Sequence, residues 1–132
     1  MELMENVVKH RAEWNFLINL AKKLGLQKDK IIFLLALREV ESLTEGRGKK
    51  GEEFNVKVVK GTNLEEQAKW VIGTIRANEF RYQKYILEKG DIDFVSFFAV
   101  LGGPYGTGWN TFNPAWWIIK MNVYMCLIGE EL

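Results

Sequence analysis

The chain has one cysteine, Cys126, and one histidine, His10. A lone cysteine excludes an intramolecular disulfide and any site built on several thiolates. A lone histidine excludes a His cluster, and a Ser/His/Asp triad would have to rest on His10, in a charged N-terminal stretch read as surface or packing. Long apolar runs are also missing. No segment approaches the ~20 uninterrupted apolar residues that span a bilayer, so no membrane span is expected. In MELMENVVKHRAEW, charges interrupt every apolar run, so the opening does not read as an export signal. Charge of one sign is absent too. Eighteen Lys and Arg face 17 acids, a net charge of +1, which gives no basis for nucleic-acid binding. No P-loop is present. Gly102-Gly103-x-x-Gly106-x-Gly108 lacks the preceding strand and following acid of a dinucleotide site, and neither cofactor nor metal is expected.

Carboxyls, amides and aromatics remain. Five tryptophans are present, and Trp109, Trp116 and Trp117 crowd into one short stretch. Trp116 and Trp117 are adjacent, so they face different sides of a helix and at least one belongs in the core. With 48% hydrophobic residues, 132 positions suffice for a core and suit one domain over 1–132. The spacing predicts a mainly α (α+β) fold. Apolar steps of three and four residues mark a helix from Glu5 to Leu24, stopped by Gly25, and a central helix from about Lys30 to Leu43. Phe54 to Lys60 alternates enough to suggest a small β-hairpin. Asn63 with Glu66 resembles a capping box before a helix reaching about Tyr82. Gly73 inside it suggests a close helix–helix crossing. Asp91 is expected to cap Ile92 to Leu101, and Asn113-Pro114 to open a last helix, Ala115 to Leu127. Cys126, among Met125, Leu127 and Ile128, reads as a buried small hydrophobe.

The most informative stretch is Ile31 to Thr44, IIFLLALREVESLT. A helix this apolar must be buried on most sides. Its end carries Glu39, Glu41 and Ser42, and a basic, glycine-rich segment, Glu45 to Gly51, follows. A carboxyl delivered from a buried helix to the edge of a cleft suits a proton donor, since burial disfavours its charged form. The plain alternative is a core helix whose terminal acids face water. Glycoside cleavage needs such an acid near the scissile oxygen, and sugar recognition needs aromatic platforms and amides.

Ala36-Leu37-Arg38-Glu39-Val40-Glu41-Ser42 resembles the helix-end Glu-Ser motif of the lysozyme-like superfamily, shared by lytic transglycosylases and endo-β-N-acetylglucosaminidases. Phe98 to Pro104 is similar to the place of a Tyr-Asn-Ala-Gly segment. Phe80 to Tyr85 and Asp91 to Phe98 are similar to the glucosaminidase stretch before an aromatic loop. Asn113-Pro114-Ala115-Trp116 is similar to the opening of the last helix there. These matches run in order across roughly residues 31 to 122. The family's Gly-Leu-Met-Gln segment and the Asn of its Tyr-Asn-Ala-Gly motif have no counterpart here.

The resemblance implies a lysozyme-like helical domain with a small β-hairpin after the catalytic helix. It implies a peptidoglycan hydrolase acting on the β-1,4 bond between amino sugars, as glucosaminidase, muramidase or lytic transglycosylase. Glu41 is then the catalytic acid. Glu52 or Glu53 is the candidate second carboxylate, with solvent-exposed acids as the alternative. Candidate substrate contacts are Ser42, Gln67, Tyr82, Tyr85, Tyr105, Trp109 and Asn110, although packing explains Gln67, Tyr82 and Tyr85 equally simply. The expected partner is peptidoglycan or another amino-sugar polysaccharide. The expected location is cytoplasmic until release, or the cell wall, as for a phage endolysin or a wall-associated domain. The rival from another class is a non-catalytic glycan-binding or protein-interaction domain on the same scaffold, with exposed aromatics as its contact patch.

Overall fold

The computed structural model describes residues 2–41, 53, 54, 56–100 and 113–132, with side chains from Arg11 onward. Among these residues the structure is helical and contains no strand. Helix α1 covers Glu2–Lys23, α2 Lys28–Glu41, α3 Leu64–Lys89, α4 Phe94–Val100 and α5 Pro114–Glu131. No helix among the described residues is long and apolar enough to cross a membrane.

Helix α1 buries Trp14, Leu17, Leu20 and Ala21 and stops at Gly25, as its sequence predicts. Gly25 has φ 92°, a left-handed conformation that favours glycine. Its N–H donates to the Lys22 carbonyl at 3.1 Å, and the Leu26 N–H donates to the Ala21 carbonyl at 2.9 Å. Leu26 and Ala21 are both buried, so an apolar contact accompanies the turn. From α3, Arg76 Nη1 donates to the Leu24 carbonyl at 3.0 Å and so satisfies a carbonyl at the helix end.

Helix α2 is the axis of the fold. It packs against α1, α3 and α5, and every residue from Phe33 to Val40 is buried. Phe33 sits in a cluster of edge-on and stacked rings with Phe94 and Phe98 of α4 and Trp117 of α5. The ring centroids lie 4.9–6.3 Å apart, the favoured range for aromatic pairs.

The expected hairpin is not formed by the described residues. Lys57–Val59 is a 3-10 turn instead. Gln67 explains why. Its Oε1 accepts from the Phe54 and Val56 N–H groups at 3.2 and 3.0 Å. Its Nε2 donates to the Val56 and Val59 carbonyls at 3.0 and 3.2 Å. One buried amide thus satisfies backbone groups that a partner strand would otherwise have to pair with.

Asn63 caps α3, its Oδ1 accepting from the Glu66 N–H at 2.9 Å. The helix runs unbroken to Gly90, past the expected end near Tyr82, because Tyr82 and Tyr85 pack on α4. Gly73 marks no close crossing. It is exposed, and a Cβ there would meet nothing within 4 Å. Asp93, not Asp91, caps α4: its Oδ1 accepts from the Ser96 N–H at 2.8 Å and its Oδ2 from the Ser96 hydroxyl at 2.9 Å. Asn113 caps α5 through the Trp116 N–H at 3.1 Å, with Pro114 in the first turn. Helix α5 buries Trp117, Met121, Tyr124 and Ile128. Cys126 is exposed, contrary to the reading of it as a buried hydrophobe. It follows Trp117 by nine residues, about 2.5 turns, and so faces the other way.

Candidate functional site at the carboxyl end of the central helix

The last two turns of α2 place three charged side chains in succession, and the fold treats each differently. Arg38 is 2% exposed. Its Nε donates to Glu13 Oε1 at 2.7 Å, a second guanidinium nitrogen donates to Glu13 Oε2 at 3.4 Å, and Nη1 donates to the Glu53 carbonyl at 3.0 Å. A buried guanidinium needs such partners, and its fork suits a carboxylate. Glu39 is also buried, and its Oε1 accepts from the Trp14 indole N–H at 3.2 Å. Glu41 ends the helix and is half-buried, the first residue after Val40 to reach solvent. Arg38 and Glu41 are three apart and share a face. The Arg38–Glu53 hydrogen bond ties the backbone of residue 53 to the last two turns of α2.

Glu53 is buried, against the alternative of a solvent-exposed acid. Gln67 lies at this end as well, through its bonds to residues 54–59. It is fully buried and its amide is bonded to backbone, as the packing alternative expects. Ser42, Glu52, Tyr105, Trp109 and Asn110 lie outside the described residues.

Tyr82 and Tyr85 are not brought to Glu41. Helix α3 runs antiparallel to α2. Its Gln67 end meets the Arg38 end of α2 through residues 53 and 54, whereas Tyr82 packs on Phe94, whose ring touches Phe33 and Lys30 near the start of α2. Fifteen helical residues separate Gln67 from Tyr82, about 22 Å. The Tyr82 hydroxyl donates to the Ile92 carbonyl at 2.6 Å, and its ring meets Phe94 and Phe97 edge-on. Tyr85 rests on Phe97 at 5.7 Å. Both tyrosines brace α4.

The network of Glu13, Trp14 and Arg38 went unread in the sequence. The available signal was the pair Arg38-Glu39 inside an otherwise apolar helix, because charges buried there demand partners from another element. Of the two tryptophans that open α5, Trp117 is 2% exposed and Trp116 38%, as their adjacency predicts.

No family model matches the chain, and no characterised protein or solved structure matches it either. The likeness to lysozyme-like enzymes therefore rests on the short motifs alone.

Proposed function

We propose that the protein cleaves the β-1,4 glycosidic bond between amino sugars of peptidoglycan, with Glu41 as general acid and then base. The observation that carries this reading is the contrast between Glu39 and Glu41. Both end the same buried helix, yet Glu39 is enclosed against Trp14 and only Glu41 reaches solvent. A further feature supports it. Arg38, one turn back, is tied to Glu13 and to the backbone of residue 53, so the helix end is held in place.

In this reaction the protonated Glu41 gives its proton to the glycosidic oxygen as the bond to the anomeric carbon breaks. The Glu41 carboxylate then takes a proton from the attacking water, or from a hydroxyl of the same sugar if the product is an anhydro sugar. Glu53, whose backbone carbonyl is bonded to Arg38, is the candidate for a second carboxylate among the described residues. On this reading the protein acts at the cell wall.

Glu41→Gln should abolish clearing of a suspension of purified walls while shifting the thermal midpoint little. Undiminished clearing by that variant overturns the assignment. A wild-type protein that binds walls without clearing them is a glycan-binding module.

A further inference from the structure

At the opposite end of α2 a groove of about 320 Å³ opens between the start of that helix and the outer half of α3. This volume lies at the lower end of the ~300–1,000 Å³ typical of small-molecule sites. Thirteen helical residues separate Lys28 from Glu41, so the groove is about 20 Å from the proposed acid.

We propose that this groove is a second glycan subsite, in which Phe80 stacks on an N-acetyl amino sugar while neighbouring amide and carboxyl groups read its hydroxyls. The proposal rests on the amino-sugar polymer named under Proposed function. Phe80 is 80% exposed and forms part of the groove wall. One exposed phenyl is ordinary, but this one borders a groove that amide and carboxyl side chains also line. Gln27, Glu79 and Gln83 also line it, and no side-chain hydrogen bond joins them to other described residues. Their donors and acceptors are available to a ligand.

The other lining side chains have partners. Tyr82 is fixed by its hydroxyl bond to the Ile92 carbonyl and by Phe94 and Phe97. Lys30 Nζ is held 2.8 Å from Asp29 Oδ2 and 4.4 Å from the centre of the Phe94 ring. That pair cancels its own charge, which leaves Glu79 and no unmatched cation in the lining. Such a groove does not select an anion. An aromatic platform with unpaired amides and a carboxyl suits a neutral ring with apolar C–H faces and polar edges, which is the chemistry of a sugar.

The test is titration of the full chain with N-acetylglucosamine trimer, followed by amide NMR, beside clearing assays on purified walls. Wild-type amides of Gln27, Lys30, Phe80 and Gln83 should shift on titration. Phe80→Ala should weaken that response about tenfold, the loss of roughly 1.4 kcal/mol of ring contact. It should also raise the wall concentration for half-maximal clearing and leave the maximal rate and thermal midpoint unchanged. Silent groove amides in the wild type, or equal binding by Phe80→Ala, overturn the subsite. If walls are not cleared but the groove responds and Phe80→Ala weakens the response, the subsite stands and the hydrolase reading fails. Clearing with a silent groove keeps the hydrolase reading and removes the subsite.

Discussion

The two ends of α2 handle polar groups in opposite ways. At the carboxyl end, Arg38, Glu39 and Gln67 are buried and matched to partners: a carboxylate, an indole N–H and a set of backbone groups. At the amino end, Gln27, Asp29 and Gln83 face solvent around a groove. Burial with full pairing fixes geometry, because removing one partner strands the other in a poorly solvated place. Exposure leaves polar groups available and gives up little stability. The carboxyl end therefore holds one acid still, and the amino end offers several groups to a ligand.

The sharpest way to break this comparison is to remove Arg38. Arg38→Ala removes a donor from Glu13 and from the Glu53 carbonyl, and it should destabilise by about 3 kcal/mol, read from urea unfolding. A loss below ~1 kcal/mol would mean that the network contributes little. Next in size is Gln67→Leu, which keeps much of the volume and deletes the amide. The Phe54 and Val56 N–H groups and the Val56 and Val59 carbonyls, mostly part-buried, then lose this partner, and the expected loss is about 1–3 kcal/mol by the same measurement. Wall clearing should fall in both variants if the segment at 53–59 helps to position the acid.

How much of this was legible in the sequence depends on the range of the interaction. Local signals worked. Asn63, Gly25 and Asn113 act within one turn of chain, and each ends or opens a helix as its residue type predicts. The unbroken apolar run of α2 identified a buried helix, and the mainly helical class followed. The hairpin failed because the alternation in Phe54 to Lys60 competes with a side chain 13 residues away from Phe54, and Gln67 won. Asp91 lost to Asp93 because Ser96 stands three residues after the latter. The place of Glu41 at the end of the buried helix was legible because it is local. Its grouping with Tyr82 and Tyr85 failed because the antiparallel course of α3 carries them to the far end, and residue types alone carry no such distance. Phe80, read only as part of a motif, became informative once the groove beside it was seen.

Helix α3 links the two ends, and Gly73 lies between them. A Cβ there meets nothing within 4 Å, and the position is exposed. Gly73→Ala should therefore raise stability by about 0.5–1 kcal/mol, by restricting the unfolded chain and favouring helix. Both ends should keep their behaviour, so clearing and sugar titration should match the wild type. A destabilised Gly73→Ala would mean that this face of α3 is covered in solution.

The smallest effect concerns Asp29. The Lys30 hydrogen bond, ahead of opposing desolvation, holds the Asp29 carboxyl below its ordinary value of 3.8. A carboxyl with a lower pKa in the folded chain contributes stability that is present above the unfolded value. That contribution is lost as pH falls through the folded value. The Asp29 side chain is 69% exposed, so solvent screens the pair and the contribution is about a few tenths of a kcal/mol. Asp29→Asn should lower the urea midpoint slightly at pH 7, and the difference from wild type should vanish well below pH 3.8. Added salt should shrink it too, since the pair sits in water. The Arg38–Glu13 pair, with its guanidinium buried, should keep most of its effect in the same salt. Equal salt sensitivity at both ends would remove the distinction between a paired interior and an open groove.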